Sequence, residues 1–283
     1  MCLIISYMKN KNIKEISKVY KGSYLDGVQD RIQYYINLSM KNLNFSKNHS
    51  YKIADCGSGY SLFIPFLTDV IKHQNLYMID DFKSLDKLHT SDNSKKDQKY
   101  KKKFLPSVNK LFKRLNIKKI NLNFEKQKLT FKSNYLDLVT SFHCIEHFHN
   151  SPKAFIKECF RVLKPGGTLI IAVPNAVNFR KRISVLFGLT NYYDLSDYWN
   201  QVPYYGHVRE PTKDELIFFC NDSGFTDAKI YRKNFMGIER LVRVTNKFIR
   251  NEKISRSLIN FLIKPFELVP GLCTDLHIIC KKP

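Results

Sequence analysis

Apolar positions along this chain fall into two periods. Strand-length stretches rich in apolar residues occupy 51–56, 76–79, 117–122, 136–141, 170–173, 228–231 and 276–280. Segments with helical spacing lie between most of them, at 27–43, 62–72, 105–115, 152–163, 213–220, 238–249 and 254–266. Strand-length runs that alternate with helical segments predict an α/β sheet with crossover helices. Local signals set several boundaries. Ser151-Pro152 supplies an N-cap and a first-turn proline for the segment that follows. Pro165-Gly166 suits the centre of a type II turn. Thr212 with Glu215 reads as a capping box, and Gly224 stops the helix that it opens.

The organising stretch is 51–61, where the first strand runs into Asp55-Cys56-Gly57-Ser58-Gly59. Two glycines let a backbone approach a ligand closely and adopt dihedrals that a Cβ forbids. The third glycine of a dinucleotide fingerprint is missing, since Leu62 holds that place, and no phosphate-loop Gly-Lys-Ser/Thr follows. An acid beside the turn suits a ligand with an ammonium and a carboxylate: Asp55 takes the first, backbone N–H groups the second. Pro65 is costly inside a helix, so the helix after the turn is expected to start late or to kink.

Further pieces recur downstream in a fixed order: Asp137-Leu138-Val139, Glu146-His147, Leu163-Lys164-Pro165-Gly166-Gly167 and Pro174-Asn175. With the acid-x-Gly-x-Gly turn, this series resembles the class I methyltransferases that use S-adenosylmethionine (SAM), in their type 11 and type 23 branch. The resemblance implies a Rossmann-like seven-stranded sheet, mostly parallel with one antiparallel strand, and helices on both faces. The antiparallel strand is expected from 276–280, at the sheet edge. It implies a helical cap over 1–50, a methyltransferase domain over 51–283, and a substrate lid at 176–211. It further implies SAM as cofactor, and transfer of its methyl to an oxygen, nitrogen or carbon nucleophile of a small molecule such as a sugar, glycan or lipid intermediate.

Candidate residues follow from position and from that resemblance. Asp55, Gly57 and Gly59 form the cofactor turn, and Asp80 at the second strand's end is the expected ribose ligand. Arg31 suits the methionine carboxylate, with a solvated helix arginine as the alternative. By resemblance, Glu125 lies near the adenine amino group and Phe142 lines the methionine end. His143, His147 and His207 are candidates for proton removal. For His147 the competing account is a structural one, in which the imidazole satisfies a neighbouring loop. His143 and His147 would share a face if a helix began there. Arg209 is a candidate for a substrate carboxylate or phosphate, against a structural pair with Glu210.

Charge adds partners to consider. Lys and Arg number 47 against 25 acidic residues, a net +22. Such an excess favours anionic partners, yet the lysines are scattered along the whole chain. Nucleic acid is thus a disfavoured alternative, as an RNA methyltransferase or a non-catalytic binding protein. The turn after the fourth strand reads Ser141-Phe142-His143-Cys144, without the Pro-Pro or Pro-Cys of base-flipping enzymes. A Lys-rich stretch at 83–103 reads as an inserted mobile loop. Seven cysteines without a Cys-x-x-Cys point to a reducing compartment, and no metal site is expected. The apolar start at 2–7 is too short for a secretory signal, and no apolar run approaches a membrane span, so a cytoplasmic protein is expected. The basic amphipathic segments 238–249 and 254–266 allow peripheral membrane contact.

Overall fold

The computed structural model describes residues 16, 18–20, 23–43, 49–71, 75–88, 100–190, 192, 195–200, 204–235, 237–269 and 271–283. In chain order the elements are α1 (Ser23–Asn42), β1 (Lys52–Cys56), α2 (Phe63–Leu67), β2 (Asn75–Asp80), α3 (Phe82–Leu88), α4 (Leu105–Arg114), β3 (Lys118–Asn121) and β4 (Leu136–Phe142). They continue with α5 (Lys153–Val162), β5 (Leu163–Pro174), α6 (Phe179–Leu186), α7 (Leu195–Asn200), α8 (Lys213–Asp222), β6 (Thr226–Lys233), α9 (Ile238–Ile249), α10 (Glu252–Ile263) and β7 (Asp275–Lys281). The strands form one seven-stranded sheet in the order β3-β2-β1-β4-β5-β7-β6. β1 pairs in parallel with β2 and β4, β2 in parallel with β3, and β6 antiparallel with β7. This is the Rossmann-like mixed sheet that the sequence pattern implies.

Two compact units divide the chain. The first holds residues 1–142, 158–169 and 282–283, the second residues 143–157 and 170–281, so α5 and β5 contribute to both.

In the first unit, Ile53 of β1 lies opposite Leu76 and Leu138, and Ile53, Ala54 and Cys56 are buried. An interior parallel strand is covered on both faces, which is why this stretch reads as a continuous apolar run. α2 is a single short turn of helix whose five residues, Pro65 included, are all buried. Pro65 is its third residue, where the backbone N–H has no intrahelical acceptor, so the ring removes no bond there. Burial of the whole turn explains why its sequence is apolar on every side. The Lys-rich stretch 83–103 lies partly outside the described residues, at 89–99. Its described ends are helical, as α3 and a π-helical turn at Tyr100–Phe104.

At Pro165-Gly166, Gly166 has φ +74°, the value that a type II turn requires at its third residue, and Lys164 O lies close to Gly167, in keeping with the expected turn. β5 is one twelve-residue strand, and its Leu163–Gly167 portion is paired with the chain end: Gly166 N–H donates to Lys282 O, and Lys282 N–H donates to Gly167 O. The local turn conformation and the pairing with the chain end thus coexist.

In the second unit, the antiparallel strand β7 sits one place in from the sheet edge, with β6 outside it. The burial pattern agrees: six of seven β7 residues are buried, while no β6 residue is. The Thr212–Glu215 capping box forms as expected and opens α8. α9 and α10 each bury part of one face, with Val242 and Ile259 inside and Phe248 and Phe261 exposed. Among the described residues no helix is long and apolar enough to cross a membrane.

The Gly166-Gly167 pair provides a test. A Cβ at Gly167 would meet Lys164 O at 2.7 Å, whereas at Gly166, with φ +74°, it would meet nothing within 4 Å. Gly167→Ala is expected to cost roughly 1–3 kcal/mol through overpacking. Gly166→Asn should cost less than about 1 kcal/mol, because asparagine tolerates the left-handed region. Urea unfolding midpoints decide it; equal midpoints for the two variants would contradict this arrangement.

Candidate functional site

The glycine turn after β1 is tied to the end of β2. Gly57 and Gly59 have φ of +74° and +49°, dihedrals that favour glycine. Gly57 N–H donates to Ile79 O at 2.9 Å and Ser58 N–H to the same oxygen at 3.3 Å. Gly59 N–H donates to the Asp80 carboxylate at 2.7 Å. All three N–H groups of the turn itself are thus taken by β2.

Two adjacent acids at the end of β2 divide two tasks. Asp81 accepts from Ser84 N–H and Ser84 Oγ–H, and so caps α3. Asp80 accepts from Gly59 and from Asp81 N–H at 2.7 Å, and stays at the mouth of the turn. Burial pushes its carboxyl up to about 6, against the lowering effect of these two N–H donors. Asp55, 2% exposed, accepts from Thr140 Oγ–H at 2.7 Å. Burial pushes it to about 7; the Thr140 bond opposes this and the Asp80 charge adds to it. Two carboxylates held above their ordinary range beside a glycine turn form a site that favours a cationic or hydroxyl-bearing ligand.

Aromatic packing brings α1 to the end of β4. The Phe142 ring stacks on Tyr35, with centroids 4.0 Å apart and planes at 10°, and meets the Phe63 ring edge-on at 4.9 Å. Arg31 lies one helical turn before Tyr35 on the same face of α1 and is half-buried. Leu122 N–H donates to Asp80 O, which sets the 122–127 turn and half-buried Glu125 beside the end of β2. Arg31, Asp55, Gly57, Gly59, Asp80, Glu125 and Phe142 all belong to the first unit. The network at Tyr60 was not legible in advance. Its OH donates to Asp86, Lys119 Nζ reaches the same oxygen at 3.1 Å, and the ammonium lies 4.3 Å from the Phe82 ring centre. Desolvation lowers the Lys119 pKa, opposed by the Asp86 charge.

The histidines and Arg209 belong to the second unit. His143 and His147 do not share a helical face, because Ile145–His147 is a 3-10 turn and His143 has φ +52°. A non-glycine residue in that region stores strain of about 1 kcal/mol or more. The His143 ring lies between two buried carboxylates, with Nε2 3.5 Å from Asp275 and Nδ1 3.7 Å from Glu146. His147 Nδ1 lies 2.9 Å from Tyr205 O and 3.1 Å from Gly206 O, so its imidazole does satisfy a neighbouring loop. The His147 and His207 rings meet edge-to-face at 4.6 Å. Val208 and Arg209 N–H both donate to Glu146 O, lacing the 204–209 segment to the 145–147 turn.

The pairing expected between Arg209 and Glu210 does not form. Arg209, 72% exposed, pairs with Glu215, the capping-box acid. Glu210 instead accepts from His207 Nδ1 at 2.8 Å and from Lys181 Nζ. Burial raises the Glu210 carboxyl, but bonds and charge from His207 and Lys181 outweigh it and hold it below the usual range. Lys181 is one of five Lys and Arg residues within 180–213, and only its burial sets it apart, which no sequence pattern marks.

Comparison with known proteins bears on this geometry. Residues 54–171 match the family model described as a methyltransferase domain. A protein of Mycobacterium tuberculosis named as a probable S-adenosylmethionine-dependent methyltransferase is 30% identical over 93 residues, 33% of this chain and 28% of its own. The ubiquinone/menaquinone biosynthesis C-methyltransferase UbiE of Vibrio parahaemolyticus is 28% identical over 131 residues, 41% of this chain and 47% of its own. The chain thus spans less than half the length of these curated relatives. Among solved structures, phosphoethanolamine N-methyltransferase 2 of Haemonchus contortus, in complex with SAM, superposes with a TM-score of 0.55 at 12% identity, over 98% of this chain and 59% of that one. A SAM-dependent methyltransferase of Archaeoglobus fulgidus gives 0.50 at 16% identity, over 93% and 100%. The acid-x-Gly-x-Gly turn tied to Asp80, the sheet order and the family match together identify residues 54–171 as a methyltransferase domain of class I, the SAM-dependent kind.

Proposed function

We propose that this chain transfers a methyl group from SAM to an oxygen, nitrogen or carbon nucleophile of a small molecule, in the class of sugars, glycans or lipid intermediates. The observation that carries the reading is the Asp80 carboxylate drawn onto Gly59 N–H at 2.7 Å, with buried Asp55 behind it. A half-buried carboxylate at that strand end suits two vicinal hydroxyls, each of which donates to one oxygen. Asp55 suits a cationic group, which would relieve the penalty that burial places on its ionised form. Arg31 is assigned to the methionine carboxylate, because the turn's own N–H groups are taken, Glu125 to the adenine amino group, and Phe142 to the methionine end.

The cofactor supplies a methyl already activated by its sulfonium. The protein's part is alignment, exclusion of water and, where the nucleophile needs it, proton removal. For that last role His147 and His207 are favoured over His143. Each holds Nδ1–H against an oxygen that only accepts, the Tyr205 and Gly206 carbonyls for one and the Glu210 carboxylate for the other. A neutral imidazole fixed in that tautomer carries its basic lone pair on Nε2. Arg209 is tied to Glu215 and is given no substrate role. A small-molecule acceptor fits the exposed aromatic side chains of 176–211, among them Tyr198 and Trp199, and the quinone pathway in UbiE's name.

Calorimetric titration of SAM into wild type and Asp80→Ala tests the cofactor site. Binding weakened more than about tenfold, or 1.4 kcal/mol, is expected in the variant. Equal affinities would remove Asp80 from the site. Labelled SAM offered with small-molecule extract fractions and, separately, with purified RNA then tests the acceptor class. Label in RNA alone would overturn the small-molecule reading.

The raised acids predict a pH dependence of opposite sign to that of a salt-bridged carboxylate. Folded-state values of about 7 for Asp55 and about 6 for Asp80 exceed the ordinary 3.8. Between those limits the folded form binds more protons than the unfolded form, so these two groups lose stability as pH rises. The melting temperature of the ligand-free protein is expected to fall from about pH 5 to about pH 8 relative to that of Asp55→Asn or Asp80→Asn. Parallel curves for variants and wild type would contradict the burial of these acids.

A further inference from the structure

A third cluster within the second unit is of a different chemical kind. One ligand atom each of Glu146, His147 and His207 lies within 4.8 Å of the other two. We propose that these three side chains bind a divalent transition-metal cation of the zinc class, with Glu146 contributing a carboxylate oxygen and the histidines their Nε2 atoms. This inference does not depend on methyl transfer, since its readout is bound metal.

The carboxylate is the first reason. Glu146 is fully buried, and neither of its oxygens accepts a hydrogen bond among the described residues. His143 Nδ1, at 3.7 Å, is beyond hydrogen-bond reach. A buried carboxylate without a donor costs several kcal/mol unless it protonates or meets a cation. Its neighbours are imidazoles, those of His147 and His207 within 4.8 Å and that of His143 at 3.7 Å, and a neutral imidazole adds a lone pair rather than charge.

Ring orientation is the second reason. His147 Nδ1 faces the Tyr205 and Gly206 carbonyls, and His207 Nδ1 faces Glu210. Both partners only accept, so both rings hold Nδ1–H and place a lone pair on Nε2. Metal-bound histidines characteristically donate their second nitrogen to a carbonyl or carboxylate, which fixes the ring and raises its basicity. Here one ring has each kind of partner, and Lys181 on Glu210 helps to keep that carboxylate ionised. The positions are further fixed by Val208 and Arg209 N–H donating to Glu146 O.

Donor type selects the metal. Two nitrogens and one carboxylate oxygen suit zinc, cobalt, nickel, iron or manganese, whereas calcium and magnesium prefer all-oxygen sets. Three protein ligands leave a fourth position for water or for one oxygen of another molecule. Ligands about 2.0–2.2 Å from a tetrahedral zinc stand roughly 3.3–3.5 Å apart, so atoms within 4.8 Å of one another reach that geometry by closing at most about 1.5 Å. If the cation is present, His147 and His207 act through it, acidifying a bound hydroxyl in place of taking the proton themselves.

The test uses the full chain, stripped with a chelator and dialysed against Zn²⁺, with metal content measured per protein and Co²⁺ absorption recorded in parallel. Wild type and the control His49→Ala, at an exposed histidine elsewhere, are expected to retain one equivalent and to show the ligand-field absorption of low-coordinate Co²⁺. His147→Ala and His207→Ala should each lose more than about tenfold in affinity and lose that absorption. Glu146→Gln, which keeps the side chain's shape, should do the same and decides the matter if a histidine variant does not fold. Absence of metal from the wild type, or Co²⁺ spectra unchanged in Glu146→Gln, would overturn the proposal.

Discussion

The turn that follows β1 is held by the end of the neighbouring strand. Gly57 and Ser58 donate to Ile79 O, and Gly59 donates to the side chain of Asp80, so three consecutive amides bind two consecutive residues of β2. Such a wrap requires left-handed dihedrals at both glycines, and it leaves the turn's own donors satisfied before any ligand arrives. Two acids are thereby fixed near each other, Asp55 buried behind the turn and Asp80 at its mouth. Among the described residues neither has a cationic partner, and burial holds both above the usual carboxylate range. The first unit therefore carries an electrostatic cost at neutral pH that a positively charged or hydroxyl-rich ligand offsets. That cost links the fold of the turn to its chemistry: the same residues that make it a tight corner make it selective.

Much of the first unit was legible because its signals are local. Glycines at 57 and 59, an acid after a strand and apolar runs of strand length each follow from one residue's backbone or one strand's burial. Asp80 and Asp81 show where locality ends. Both are acids at a strand end, and only the hydrogen bonds separate the helix cap from the residue on the turn. Pro165-Gly166 was legible as a turn from its residue types, whereas its pairing with Lys282, more than a hundred residues away, lies in no window of sequence. Likewise, the antiparallel strand at 276–280 was expected at the sheet edge, and placing it one position inside needs the β6–β7 pairing.

The second unit was legible in its residue types and not in its partners. His143, His147, His207, Arg209 and Glu210 stand out in the sequence, yet which partner each takes does not follow from spacing. His207 and Lys181 converge on Glu210, and Arg209 turns to Glu215. Exposure explains the rearrangement. A buried carboxylate must take the partners that are also buried, while a largely exposed arginine is free to join a surface pair that contributes little.

Glu146 is where that reasoning presses hardest. Its backbone carbonyl is doubly bonded, by Val208 and Arg209, whereas its side-chain carboxylate accepts nothing from the described residues. A fold that satisfies one end of a residue so fully and leaves a buried charge at the other is locally inconsistent, and such inconsistencies concentrate at functional sites. Protonation would remove the charge but would leave an acidic proton without an acceptor among those residues. A divalent cation removes both difficulties at once, and it explains why two histidines with fixed tautomers lie at ligand distance. The bare carboxylate and the two oriented imidazoles thus call for one explanation rather than three, and the cation supplies it.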